Sequence, residues 1–436
     1  MKRIFSDFAY GPGPRDGCWW DDTCDLPLFA PLAGAHRCDV VIVGAGFTGV
    51  SAALHLARAG VDVVVLDAGQ VGWGASGRNG GFCCLGGGVA SDAILDRRFG
   101  REERLHYRAA ERRAVECVAT LIDDLALDVD RHSLGETLLA HRPRDARAFE
   151  TAARRIEENY NVVARQENLE TAGMGGPFHG ALTTPIGFGL NPRKYLVGLV
   201  ADAVSSGVRF FDHTPVTECI SGGVRVGDGV VRAERVVFAT NGYSSEDLPH
   251  WMKARYLPVQ SNVLVTRPIS KAEQRTQGWT SRQMAYDSRH LLHYFRLLPD
   301  NRFLFGRRGG LTASQGAEAR ARAATEADFR KMFPAWQDIA VTHAWSGLAC
   351  MSRSLVPFAG PVPDVPGVYA GFAYHGNGVA MGTFVGTILA ALVQDLEPAI
   401  YPAAMRTPPP RFPLGGLRRA LLVPAYASYA LADRWP

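Results

Sequence analysis

Gly44-x-Gly46-x-x-Gly49, followed by Asp67, is the part of this chain whose residue types and spacing speak most directly of chemistry. The first glycine suits a tight turn, the second lets an anion approach the backbone, and the third lets a helix pack closely on a strand. Free N–H groups at the helix N-terminus then face a pyrophosphate. Asp67 lies about 20 residues on, where a carboxylate accepts from ribose hydroxyls. Together these features specify a dinucleotide site. A second glycine-rich run, Gly72-Trp73-Gly74-Ala75-Ser76-Gly77-Arg78-Asn79-Gly80-Gly81, comes directly after it. A plain nicotinamide domain has little use for such a run. A flavin does, because it needs backbone at close range beyond the first loop, and Arg78 and Asn79 add a cation and an amide. The dinucleotide expected is FAD.

The elements that must position these residues follow from the pattern around them. Residues 38–43 are a β-branched run suited to a strand buried on both faces, residues 50–59 favour a helix that Gly60 stops, and residues 61–66 form a second buried strand ending at Asp67. This is one β-α-β unit with a right-handed crossover. Asn191-Pro192 opens a helix, and residues 208–211 and 235–240 return as buried strands. Residues 91–130 are helical and charged, 135–141 strand-like, and 144–160 an amphipathic helix, whereas 246–349 alternate apolar and polar as in an antiparallel sheet. From Gly367 the order is again strand, glycine turn, helix. The predicted class is α/β. A Rossmann-like FAD-binding domain at 36–90, 185–245 and 350–400 is interleaved with a mostly antiparallel α+β substrate domain at 91–184 and 246–349. Residues 1–35 lead in, and 401–436 form a C-terminal tail helix.

Composition narrows the function classes. Across 436 residues, 47 Lys and Arg stand against 43 Asp and Glu with no long block of like charge, which argues against a nucleic-acid partner. The 8 cysteines are scattered without metal-ligand or disulfide-framework spacing, and no signal-peptide core develops, so a cytoplasmic protein with free thiols and no metal is expected. Residues 365–394 lack charged side chains over a length that could span a membrane. Pro366, Gly371, His375, Asn377 and Gly378 interrupt them, which predicts a buried strand, a turn and a helix instead.

Several motifs in register carry a family resemblance: residues 40–49, the Gly-Ala-Ser-Gly-Arg-Asn-Gly-Gly run, Leu190-Asn191-Pro192, residues 239–243, and residues 371–380. From about residue 36 to 395 the chain resembles the FAD-dependent D-amino-acid oxidase superfamily, in the branch of γ-glutamylputrescine oxidase, sarcosine oxidase and glycine oxidase. The resemblance implies that Gly44, Gly46, Gly49, Asp67 and Ala68 hold the ADP part, and that Ala75, Ser76, Arg78, Asn79, Gly80 and Gly81 lie along the pyrophosphate and flavin. Val216 would use its backbone on adenine, Thr240 and Gly242 would line the nucleotide, and Gly371, His375, Gly376, Asn377 and Gly378 would face the flavin's pyrimidine edge. The implied activity is oxidation of the C–N bond of a small primary or secondary amine or amino acid. A hydride equivalent passes to flavin N5, and the imine formed is hydrolysed by water. The alternative, from another class, is a flavoprotein subunit or electron-transfer component of a larger assembly.

The resemblance also exposes departures. Either His375 or Asn377 stands where the family places a histidine, and Leu304 stands where sarcosine-oxidase relatives place an oxygen-activating lysine, so oxygen or another carrier is left open as electron acceptor. Tyr243, Tyr294, Arg296 and His375 are the candidate catalytic residues, with Tyr286, Arg307 and Trp345 also on elements near the flavin face. An arginine there could clamp a carboxylate. Cys350 lies near the position of a cysteine that carries flavin covalently in sarcosine-oxidase relatives, but non-covalent FAD is the expectation. The basic, apolar stretch from Arg411 could lie on a membrane surface or on a partner, against the expectation of a helix docked on its own domain.

Overall fold

A computed structural model describes residues 1–434, so Trp435 and Pro436 at the end of the expected tail lie outside the described residues. The β-branched runs pair at the parallel centre of a sheet of eight strands. Its backbone order is β17 (Phe358–Pro361), β18 (Val368–Phe372), β11 (Gly229–Phe238), β1 (Ala35–Val43), β2 (Val63–Leu66) and β8 (Arg209–Phe211), with β10 (Gly223–Val226) on β11 and β9 (Val216–Ile220) on β10. β1 is parallel to both β2 and β11, and Val41, Ile42, Val64 and Val65 have no exposed surface, as expected for strands covered on both faces. The first helix (Phe47–Arg58) lies on one face beside the apolar helix Gly378–Val393. Small residues permit that contact: a Cβ on Gly386 would meet the Ser51 side chain at 2.6 Å, and one on Gly371 would meet Val385 at 2.6 Å. The uncharged stretch at 365–394 is thus a strand, a turn and a helix, and no helix among the described residues is long and apolar enough to cross a membrane.

A second eight-stranded sheet has the order β16 (Val341–Met351), β12 (Leu257–Thr266), β15 (Phe303–Arg308), β14 (His293–Leu297), β13 (Met284–Asp287), β4 (Glu136–Leu139), β6 (Ala181–Thr184) and β5 (Arg165–Glu167). Every neighbouring pair is antiparallel except β13 with β4. One face packs Trp279, Phe295, Phe303, Phe305, Phe333 and Trp336 beneath the helix Gln315–Met332. The other face looks toward the first domain. A short ribbon of β3 (Phe82–Cys83) and β7 (Phe188–Gly189) bridges between the two.

The structure redraws one boundary. Residues 92–124, expected with the substrate domain, form the helices Asp92–Phe99 and Arg101–Asp124. Tyr107, Ala110, Ala114, Val118 and Leu121 bury in the same core as the helix Gly378–Val393, so these helices belong to the layer covering the parallel sheet. The expected amphipathic helix at 144–160 divides into Pro143–Arg147 and Phe149–Tyr160. At the other end, the C-terminal helix (Leu422–Arg434) docks on the antiparallel domain. The Asp433 carboxylate accepts from the backbone N–H groups of His290 (3.0 Å) and Leu291 (3.3 Å), and the Tyr429 and His290 rings stack with centroids 5.3 Å apart.

Candidate active site

One continuous cavity of about 1130 Å³ runs from the carboxyl ends of the parallel strands to the inner face of the antiparallel sheet. That is the crevice in which open α/β sheets bind ligands. At its first end, Gly44 has φ +107, and a Cβ there would stand 2.8 Å from the Ala239 carbonyl oxygen. A Cβ on Gly46 would stand 2.8 Å from Ser76 Oγ, which itself accepts from the Phe47 N–H at 2.9 Å, so the second glycine run folds onto the N-terminus of the first helix. Gly49 packs behind the cavity: its Cβ would lie 1.9 Å from the Gly44 carbonyl oxygen. The Asp67 carboxylate accepts from the N–H groups of Ala45 (2.8 Å) and Gly69 (2.9 Å), while burial raises its pKa. The Thr214 N–H donates to the Asp67 carbonyl (2.7 Å), which brings the segment leading to Val216 alongside. Asp67, Ala68, Val216 and Thr240 all line this end.

The middle of the cavity is formed by the second glycine run. Arg78 donates to the Trp73 carbonyl from Nε (3.0 Å) and Nη2 (2.8 Å), and its backbone carbonyl receives the Trp345 indole N–H at 2.7 Å. Asn79 braces the turn, donating to the Ser76 carbonyl (2.9 Å) and accepting from the Gly81 N–H (2.8 Å). Ala75, Ser76, Arg78, Asn79 and Gly80 line the cavity. Gly81, Gly242 and Gly371 do not. A Cβ on them would meet the carbonyl oxygens of Leu190 (2.1 Å) and Leu348 (3.1 Å) and the Val385 side chain respectively, so these glycines serve close packing behind the site.

In the loop from Gly371, His375 and Asn377 both line the cavity and both bond to neighbouring segments. His375, with φ +50, bridges two segments: Nδ1 lies 3.0 Å from the Gly87 carbonyl and Nε2 accepts from the Ser352 N–H at 3.2 Å. Both ring nitrogens are engaged, and burial pushes the imidazole down to about 4, which favours the neutral ring. Asn377 donates to the Leu85 carbonyl at 2.8 Å. Gly376, Asn377 and Gly378 line the cavity where the helix Gly378–Val393 begins, and no side chain caps that start. Its first-turn N–H groups are therefore available to an acceptor.

These residues fit a flavin dinucleotide. Gly44 and Gly46 leave room that any Cβ would fill, two helix N-termini face the cavity, and Asp67 stands beside the first. The volume exceeds the ~300–1,000 Å³ of ordinary small-molecule sites, which accommodates a substrate beside a long cofactor. Cys350 lines the cavity, and burial holds its thiol up to about 12.

At the far end, alternation along the antiparallel sheet aims one set of side chains inward. Glu136 and Leu138 share a face of β4, Leu138 pairs with Tyr286, Tyr286 with Tyr294, Tyr294 with Gly306, and Arg308 follows Gly306 by two residues. Glu136, Tyr286, Tyr294 and Arg308 all line the cavity, with Tyr426 of the C-terminal helix opposite. Tyr243 lines it from the other side, its ring beside the Arg78 guanidinium. Three expected side chains do not arrive. Arg296 is fully buried beneath the bridging ribbon, bound to the Leu190 carbonyl (2.7 Å) and His132 Nε2 (3.1 Å). Arg307 faces away and pairs with Asp328 at 3.0 Å, and Trp345 is core. Leu304 is buried in that same apolar cluster. Sequence reasoning passed over Glu136, Cys84, Arg308 and Tyr426. The two-residue period running on from Tyr294 and Gly306 was the signal for Arg308.

The comparisons give the chain's family and fold. The family described as DAO, FAD dependent oxidoreductase, matches residues 39–392. The chain is 28% identical to the gamma-glutamylputrescine oxidoreductase of Escherichia coli K12 over 420 residues, 93% of this chain and 95% of that protein. Among solved structures, iminodiacetate oxidase from Chelativorans sp. BNC1 superposes with a TM-score of 0.69 at 20% identity, covering 85% of this chain and 100% of that one. Glycine oxidase from Geobacillus kaustophilus gives 0.68 at 19% identity, covering 85% and 98%.

Proposed function

This chain belongs to the DAO family of FAD-dependent oxidoreductases, and from that premise we propose that it oxidises the C–N bond of a small amine or amino acid, with FAD bound non-covalently. The observation that carries this reading is the single cavity joining the nucleotide cradle at Gly44, Gly46 and Asp67 to a substrate chamber walled by Tyr286, Tyr294 and Arg308. When bound, the flavin would supply the hydride acceptor, and the imine released would hydrolyse in water. The chain's own residues hold the reacting C–H in place, keep the chamber dry and recognise the substrate's polar ends. Arg308 suits an anionic end, because it lines the chamber with a 3.4 Å hydrogen bond to the His375 carbonyl and, among the described residues, pairs with no carboxylate. The gamma-glutamylputrescine, glycine and iminodiacetate named in its relatives are all amines that also carry a carboxylate.

The test is an anaerobic screen in which holoprotein is mixed with methylated amino acids, D-amino acids and polyamine derivatives while flavin absorbance is followed. Bleaching by a subset of these amines, and not by 2-hydroxy acids, is expected. Bleaching by hydroxy acids alone overturns the reading.

A further inference from the structure

The cation that the sequence places along the cofactor's pyrophosphate is spent on the protein itself. Arg78 donates from Nε and Nη2 to the Trp73 carbonyl and from Nη1 to the Ser346 carbonyl (3.3 Å), and only 2% of its surface stays exposed. Among the described residues, the other arginines lining the cavity are Arg3 and Arg308, and no lysine does. Arg308 stands at the far end, beside Tyr286, Tyr294 and Tyr426. A helix N-terminus supplies only about half a positive charge, whereas the pyrophosphate of FAD is doubly anionic. The first helix and Ser76 therefore leave part of that charge unanswered.

Arg3 reaches the cavity from a strap that the fold pins on both sides of it. The Lys2 N–H donates to the Asp247 carboxylate (2.8 Å), and the Lys2 carbonyl accepts from the Glu246 N–H (2.7 Å). On the other side, the Ile4 carbonyl accepts from Arg419 (3.3 Å), and Phe5 is buried beside Ala313 and Leu348. A ladder of contacts then leads to the second glycine run. The Arg3 guanidinium lies over the Tyr10 ring, 4.3 Å from its centroid, and the Tyr10 ring meets the Tyr243 ring edge-on at 6.1 Å. The Tyr243 ring packs on Gly74, where a Cβ would stand 3.3 Å from it, and Gly74 opens the turn that carries Ser76 to the first helix. The acids nearest the strap are engaged elsewhere: Glu246 holds Arg418 (2.9 Å), and Asp247 holds the Lys2 N–H. Arg3 forms no ion pair among the described residues, and its Nε is buried without a hydrogen-bond partner. Stacking on Tyr10 offsets only part of the cost of holding an unpaired cation there.

We propose that Arg3 is a cofactor-binding residue whose guanidinium takes the pyrophosphate of FAD, supplementing the N-terminus of the first helix. A guanidinium suits the task, because its planar fork matches phosphate oxygens and its charge survives partial burial. The inference rests on the FAD part of the reading above and is independent of which amine is oxidised. The family match begins at residue 39, so it assigns nothing to Arg3.

Titration calorimetry on protein stripped of cofactor tests this without turnover. Arg3→Gln should weaken FAD at least about tenfold, the size of one lost charge-assisted contact. The loss should shrink at high salt, which screens charge. ADP, which carries the pyrophosphate without a flavin, should lose affinity likewise, whereas riboflavin, which lacks it, should bind wild type and variant alike. Arg3→Lys keeps the charge and should recover part of the FAD affinity. An unchanged FAD affinity in Arg3→Gln overturns the proposal. So does an equal loss for FAD and riboflavin, or an Arg3→Lys protein as weak as Arg3→Gln, since either outcome makes Arg3 a prop for Tyr10 and Tyr243 and not a ligand for phosphate. The two readings fail separately: wild type that takes up no FAD removes the flavin, while wild type and Arg3→Gln that bind it equally remove only this contact.

Discussion

His375 shows how one residue's surroundings decide its role. Its folded-state imidazole titrates near 4 because burial disfavours the cation, whereas a free histidine titrates near 6.5. The unfolded chain therefore binds more protons between these values. The stabilisation from the neutral ring is complete above pH 6.5 and is lost as pH falls toward 4, by up to about 3 kcal/mol. Denaturant unfolding of wild type and His375→Gln at pH 7.5, 5.5 and 4.5 checks this. The wild type should lose more stability than the variant at each lower pH, and parallel curves refute the assignment. Comparing the two proteins is necessary because His132, also buried and held down to about 3, contributes in both. The ring's two hydrogen bonds were not legible in the sequence, because the Gly87 carbonyl and the Ser352 N–H lie far from it along the chain. Arg308 was closer to legible. Arg307 and Arg308 are adjacent, so a one-residue slip in strand parity sends the wrong one into the chamber. Arg296 has the right parity, but the bridging ribbon covers it, which a strand pattern cannot show.

Among the elements, the β-α-β unit was readable because each local cue agreed: β-branched runs, glycines at the turn, and an aspartate at the second strand's end. The helices at 92–124 were readable as helices but not as neighbours. Amphipathicity says that a face is buried without saying against what, and here the apolar face meets the helix Gly378–Val393. The C-terminal helix, expected to dock on its own domain, packs on the antiparallel domain and lines the cavity with Leu422 and Tyr426. Its hold depends on Asp433, whose pKa His290 and Leu291 lower through their N–H groups against the opposing effect of burial. Asp433→Ala should loosen the helix by about 1.5–3 kcal/mol, the range for hydrogen bonds to a charged acceptor. Limited proteolysis should then cut within 415–434 at least about tenfold faster, with flavin content unchanged. An unaltered cleavage rate would mean that the other contacts, among them the Arg142 hydrogen bond to the Ala432 carbonyl, hold the helix without Asp433.

At the scale of the whole molecule, the cavity lies between two sheets with separate cores, so a cofactor bound there stabilises both. FAD at a hundredfold excess over its dissociation constant should add about 2.7 kcal/mol. In a chain of this size that corresponds to a rise of several degrees in unfolding temperature. Stripped wild type should show the rise on adding FAD, and acid denaturation of holoprotein should send yellow FAD through a filter. Gly46→Val, with its side chain in the space before Ser76 and the helix N-terminus, should purify colourless and show no rise. A full FAD complement in that variant misplaces the nucleotide site. The interleaving that builds this cavity also governs how the protein is made. β16, an edge strand of the antiparallel sheet, ends at Met351, and β18, which pairs with β11 in the parallel sheet, ends at Phe372. A ribosome that has produced three quarters of the chain has therefore finished neither sheet. Both cores keep apolar surface and unpaired strand edges open until synthesis is nearly complete, the condition under which a nascent chain is most exposed to aggregation.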